Sequence, residues 1–212
     1  MELIKILDIL GPLLALPFVF LRKGRTRREN LVILFLVVQL VLNGIAKYIM
    51  IQPDGHNNNI FFYKLNAFLS FGIAGLFMLT ILKKMLAAKA FGLIAAYYTV
   101  SLVVLLIILI NESNTSFNSM SFSLTAFSVC LFCVIYYLNS LANPGDENII
   151  QTSKFWLITA FFVYYGSNFF IFLTFGLLAK YNIKGLGLWG IHNVIFFISC
   201  CIILIAAKWI KK

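Results

Sequence analysis

Charge is scarce in this chain. Aspartate, glutamate, lysine and arginine make up 11% of its 212 residues, against about a quarter in soluble domains. Only seven of them are acidic. So little charge cannot wet a whole molecular surface, which excludes an ordinary soluble domain. Long polar stretches are also missing, so no folded soluble unit fits between the apolar segments. Histidine occurs twice and cysteine four times. Cys130, Cys133, Cys200 and Cys201 all lie inside apolar runs, where a thiol acts as a small packing residue. Cys130 and Cys133 form a C-x-x-C string, but no further thiolate or imidazole ligands surround it, which argues against zinc or redox chemistry. No metal and no cofactor is expected.

What the chain has is hydrophobicity: 62% of its residues are apolar and its mean hydropathy is +0.97. A transmembrane helix needs about 20 such residues. Seven stretches meet or approach that length, at roughly 3–21, 31–51, 59–82, 90–110, 119–141, 155–178 and 186–209. The expected fold is therefore all-α, a single polytopic membrane helical bundle of seven transmembrane helices over residues 1–212. The first stretch is interrupted by Lys5, Asp8, Pro12 and Pro17. A signal peptide is the rival reading for it, but Leu21 runs straight into Arg22 without a small-residue cleavage pattern.

The net charge of +10 would suggest nucleic acid if taken alone. Its distribution implies no nucleic acid. Seven alternating spans put Arg22, Lys23, Arg25, Arg27, Arg28, Lys83, Lys84, Lys89, Lys154, Lys208, Lys211 and Lys212 on one side, against Glu29, Asp146 and Glu147, for a net +9. The opposite side nets +1. The positive-inside rule then sets the N-terminus outside and the C-terminus in the cytoplasm, with anionic membrane lipid as partner for the basic side.

The polar residues inside the spans carry the functional signal. Gln39, Asn43 and Lys47 are four apart and share one face of span two, which must turn into the bundle. Tyr63, Asn66 and Ser70 form a stripe on span three, with Lys64 to one side and able to snorkel toward headgroups. Gly72 and Gly75 invite a close neighbour. Span four is almost featureless and is expected at the periphery, packing through Gly92, Ala95, Ala96 and Ser101. On span five, Ser121, Ser123, Thr125 and Ser128 can bond their own i−4 carbonyls, and Tyr136 and Tyr137 are placed like an interfacial belt. The loop around Asp54 and His56, the Asn114-Thr115-Ser116 sequon and the Pro144-Gly145 turn read as ordinary loop chemistry.

Helical rise puts Asn43, Lys47, Lys64 and Asn66 in one outer slab, with Tyr165 and Asn168 nearer mid-membrane and Trp189, His192 and Asn193 again toward the outside. Asp8 needs a wet interface or a buried partner, Lys47 or Lys64. His192 reads as a structural hydrogen-bonding residue, a ligand contact or a proton relay, and Asn168 and Asn193 as a clamp between the last two spans. The ligand-binding candidates are Asn43, Lys47, Lys64, Asn66, Tyr165, Asn168, Trp189, His192 and Asn193. No catalytic residue is assigned: a Schiff-base lysine within span seven, a membrane metalloprotease string, paired mid-membrane carboxylates and a depth-matched Ser/His/Asp set are all missing, and no carboxylate is placed centrally. A neutral-to-basic outer cavity is left, suited to a small polar or anionic ligand or a lipid headgroup.

Lys154-Phe155-Trp156, Tyr164-Tyr165-Gly166-Ser167-Asn168-Phe169 and Leu188-Trp189-Gly190-Ile191-His192-Asn193 resemble a family of small integral-membrane proteins and membrane sensor domains found mainly in Bacteroidetes. The likeness covers the last sixty or so residues, and the first 150 only through span number and loop lengths. The resemblance implies a sensory or small-molecule-binding role in a bacterial inner membrane, carried by Trp189, His192 and Asn193. Many such relatives have a glutamate on the third span where Ser70 stands here, so a mechanism resting on that acid is not expected. Some continue into a histidine kinase or another output domain. This chain reaches Lys211-Lys212 straight after span seven, so a separate signalling or membrane partner is the expectation. A stand-alone receptor or accessory protein is the leading reading, with a small-solute transporter or channel and a membrane-embedded lipid-modifying enzyme as alternatives.

Overall fold

The computed structural model describes residues 3–22, 26–52, 59–111, 119–143, 148–181 and 186–210. The Asp54–His56 loop, the Asn114 sequon and the Pro144-Gly145 turn lie outside the described residues. The protein is an all-α polytopic bundle, and six of its helices are long and apolar enough to cross a membrane. They are α2 (Arg27–Ile51), α3 (Asn59–Leu82), α4 (Ala88–Asn111), α5 (Ser119–Ala142), α6 (Ser153–Lys180) and α7 (Leu186–Lys208). Each begins and ends within four residues of the boundary expected from hydropathy.

The first stretch departs from expectation. It is not one continuous helix of nineteen residues; it is a short 3-10 turn, Leu3–Ile6, followed by α1, Leu7–Phe20. The change of helix type places Asp8 in the first turn of α1. There the carboxylate lies near the positive end of the helix dipole. Pro12 lacks the N–H that would bond the Asp8 carbonyl, which weakens the ladder further. At about 2.0 Å per 3-10 residue and 1.5 Å per α residue, the two pieces together still reach about 29 Å.

Six helices close a ring. α1 packs on α2 and α7, α2 on α3, α3 on α5, α5 on α6, and α6 on α7. α4 lies outside this ring, resting mainly on α3. Of the expected packing residues Gly92, Ala95, Ala96 and Ser101, Ser101 is buried and Ala95 half-buried, whereas Gly92 and Ala96 are exposed; Tyr98 and Leu105 complete the buried face. The reason lies on α3. A Cβ at Gly75 would overlap the Tyr98 ring, and the Tyr98 hydroxyl donates to the Gly72 carbonyl at 2.6 Å. The small residues that matter are thus on the receiving helix. Tyr97 adds a hydroxyl contact of 2.8 Å to Ser128 on α5.

The ring has two unlike halves. Its lower end is taken here as the end where α2 and α6 begin and α3 and α7 finish. Starting there, Thr26 caps α2 by accepting from the Arg28 N–H at 3.3 Å, and Glu29 accepts from the Thr26 N–H at 2.9 Å. Such a cap contributes about 1 kcal/mol. Tyr136, expected at an interface, is 0% exposed, and Lys154 sits over its ring at 5.4 Å. Above this layer Phe35, Phe77, Phe161 and Phe196 meet edge to face or tilted: Phe35 lies 5.0 Å from Phe161 and 6.5 Å from Phe196, and Phe77 lies 5.1 Å from Phe161. One aromatic from each of α2, α3, α6 and α7 therefore fills the middle of the ring. Gln39, Asn43, Asn66, Ser70, Asn168 and His192 lie above them.

Candidate functional site

On α2 the i, i+4 spacing of Gln39 and Asn43 stacks two carboxamides on the inward face, and on α3 Asn66 and Ser70 do the same. The two pairs interlock. Asn66 Nδ2 donates to Asn43 Oδ1 at 2.8 Å and to Gln39 Oε1 at 3.1 Å. Ser70 Oγ donates to Asn66 Oδ1 at 2.8 Å and accepts from Gln39 Nε2 at 2.6 Å. Asn43 Nδ2 completes the set with a 3.3 Å bond to Gln39 Oε1. All four residues are buried. A half-made network at this depth would leave costly orphaned groups, and this one is closed on itself.

A second polar link joins α6 to α7. His192 Nδ1 lies 2.8 Å from Asn168 Oδ1. A carboxamide oxygen only accepts, so this contact calls for a proton on Nδ1, and a neutral ring then keeps a lone pair on Nε2. Aromatic rings hold the imidazole on three sides: Trp189 stacks on it at 5.3 Å, Phe172 stands 5.6 Å away and Tyr164 5.8 Å. Trp189 also meets Tyr63 of α3 edge to face at 5.2 Å. The expected clamp between Asn168 and Asn193 is not formed. Asn193 points to the other flank of α7, where its Nδ2 donates to the Ile4 carbonyl at 3.1 Å. Adjacent helical positions differ by about 100°, so His192 and Asn193 cannot both face Asn168.

The third link is ionic. Lys47 of α2 pairs with Asp8 of α1. The Asp8 side chain is 3% exposed and that of Lys47 16%, so the carboxylate is the inner partner. Lys64 was expected to snorkel toward headgroups; it is 5% exposed and buried.

These links border a partly open cavity. Its polar lining includes Asp8, Gln39, Asn43, Asn66, Ser70, Thr125, Asn168 and His192, and its aromatic walls are Tyr63, Phe122, Tyr164, Tyr165, Phe172 and Trp189. It has about 40 Å³ open to the centre of a water-sized sphere. That is room for roughly three waters, well short of the ~300–1,000 Å³ of a drug-sized pocket. The Tyr165 hydroxyl is buried and has no hydrogen-bond partner among the described residues. A donor of this kind is costly to leave unmet and readily served by a small guest or water.

Of the nine residues singled out from sequence, the structure brings Asn43, Asn66, Tyr165, Asn168, Trp189 and His192 to this cavity, and leaves Lys47, Lys64 and Asn193 off its lining. Depth placed the two lysines in the right slab; Lys47 meets the cavity through its partner Asp8, and Lys64 is buried off the lining. Asp8 was not placed centrally, and it lines the chamber. Gln39 and Ser70 belong to the polar lining too; their spacing to Asn43 and Asn66 was the available signal. Tyr164 was legible at mid-membrane depth beside Tyr165 but was not counted among the candidates, and Phe172 had no signal, since an aromatic in a span reads first as packing. Among the described residues no cluster of three metal-ligating side chains occurs. The i−4 bonds of Ser123, Thr125 and Ser128 are present as expected. Comparison with protein-family models, curated proteins and solved structures gave no match to this chain.

Proposed function

We propose that the protein is a membrane receptor or accessory protein whose polar chamber binds a small molecule. The observation that carries this reading is the chamber itself: hydrogen-bonding side chains from all six ring helices, with the Asp8 carboxylate from α1 among them, converge on a space walled by aromatic rings inside an otherwise apolar bundle. Polar groups at membrane depth are costly unless they serve one another or a guest. In the same reading the chain crosses the bilayer seven times, the 3-10 turn and α1 together supplying the first crossing. The N-terminus lies outside, the lower end is cytoplasmic, and the chamber opens toward the outer half. The basic residues at the lower end, among them Arg22, Arg27, Arg28, Lys83, Lys84 and Lys154, support this orientation.

The receptor reading is favoured over a channel by the layer of Phe35, Phe77, Phe161 and Phe196, which fills the ring below the chamber. Chamber size favours a solute of a few heavy atoms over a lipid headgroup. Signalling would then pass to a separate membrane partner. Equilibrium dialysis of the full chain in nanodiscs against a set of small polar solutes tests the proposal. The wild type should retain at least one solute that Ser70→Leu, which fills the chamber, does not. Equal retention by both proteins across the set would refute it.

A further inference from the structure

The sequence suggested a neutral-to-basic cavity, because Lys47 and Lys64 lie at the right depth. In the structure Lys47 is taken up by Asp8, so the pair is neutral as a whole, and its acidic member is the one on the lining. Among the residues lining the chamber Asp8 is the only one with a formal charge when His192 is neutral, and neither lysine is on the lining. The walls of the same cavity include the rings of Tyr63, Tyr164 and Trp189, and its remaining polar surface is mainly carboxamide and hydroxyl. Carboxylate, aromatic faces and amide oxygens together form the surroundings that accept an ammonium group. They disfavour an anion, which would face a buried carboxylate.

The present occupant of Asp8 is itself an ammonium group, that of Lys47. Lys47 comes from the last turns of α2, and 16% of its side chain is exposed, so its flexible stem can carry the charge from Asp8 toward the headgroup region. We infer that the chamber selects a small primary ammonium ion, of methylammonium size, and that Lys47 acts as a tethered stand-in which the ligand displaces from Asp8. This rests on the small-molecule reading above and narrows it to a ligand class. The size agrees: space for roughly three waters admits a two-heavy-atom cation and not a bulky one. The exchange keeps charge balanced, since one ammonium replaces another beside the carboxylate and Lys47 is released to the wet rim. No bond is made or broken.

The test uses the full chain in nanodiscs with Trp156→Phe and Trp209→Phe, which leaves Trp189 as the sole tryptophan reporter on the chamber wall. Methylammonium chloride, sodium acetate and urea are titrated separately, with sodium chloride holding ionic strength constant. A saturable Trp189 response to methylammonium alone is the expected result. Lys47→Met should tighten it by about tenfold or more, as expected for loss of an internal competitor. The paired substitution Asp8→Asn with Lys47→Met keeps the shape and removes both charges, so it folds without a lone buried ion, and it should abolish the response. Retention of the response in that double variant, or no methylammonium response in the wild type, overturns the inference. A saturable response to acetate or urea in its place overturns the ligand class and leaves the receptor reading standing. Equal retention by wild type and Ser70→Leu across the dialysis set removes that reading as well.

Discussion

Replacing Asn66 with leucine tests whether the carboxamide network holds the bundle together. Asn66 is the hub: its Nδ2 serves Gln39 and Asn43, and its Oδ1 accepts from Ser70. Leucine is close to isosteric, so the cavity barely changes and the loss is of hydrogen bonds. Three bonds disappear. Interhelical hydrogen bonds in membrane proteins average about 0.6 kcal/mol each, which gives a destabilisation of about 2 kcal/mol. Two further effects act in opposite directions. Asn43 Oδ1 loses the donor it had, which adds a penalty of about 1–3 kcal/mol if the oxygen is left unmet in the interior. Water in the adjacent chamber, or the Ser70 hydroxyl turning to its own i−4 carbonyl, returns part of it. Gln39 Oε1 keeps its bond from Asn43. The net expectation is a loss of about 2–3 kcal/mol. Reversible unfolding in bicelles, followed by steric trapping, measures it against wild type. A double-mutant cycle with Asn43→Leu should show a coupling of at least about 0.5 kcal/mol, since the two residues share a bond. A change below about 0.5 kcal/mol for Asn66→Leu, the range of an inert surface substitution, would refute the claim that this network ties α2 to α3.

Three further outcomes follow from other parts of the structure. Lys47→Met alone strands the inner partner of the ion pair and should cost about 3 kcal/mol or more, whereas the double change with Asp8→Asn should recover most of that; thermal unfolding in detergent separates the two. Gly75→Ala should push the Tyr98 ring off α3 at a cost of about 1–3 kcal/mol, while Gly72→Ala, whose added Cβ would meet only Leu102 at 3.8 Å, should be nearly neutral. The orientation is checked with single cysteines at Arg22 and Asn111 in a chain whose four native cysteines are replaced: a membrane-impermeant maleimide added to intact cells should label Asn111→Cys and spare Arg22→Cys, and the reverse pattern would invert the topology.

Composition and periodicity alone established the all-α membrane bundle and the limits of α2 to α7, because the thickness of hydrocarbon sets helix length and any run of suitable apolar residues reports it. The inward faces of α2 and α3 were legible for the same kind of reason. Gln39 and Asn43, or Asn66 and Ser70, stack by local helical geometry whatever surrounds them. What depth and spacing could not give was azimuth and neighbour. Whether Asp8 meets Lys47, whether His192 meets Asn168 while Asn193 turns to Ile4, and whether Lys64 points to lipid or is buried all depend on how separate helices rotate against each other, and no run of sequence encodes that rotation locally. The same holds for Gly75, whose role exists only because Tyr98 arrives from another helix. Closure of the ring was the deciding step. By packing α1 between α2 and α7 it carried a carboxylate into the chamber and kept both lysines off its walls, so the charge the cavity presents is a property of the tertiary structure.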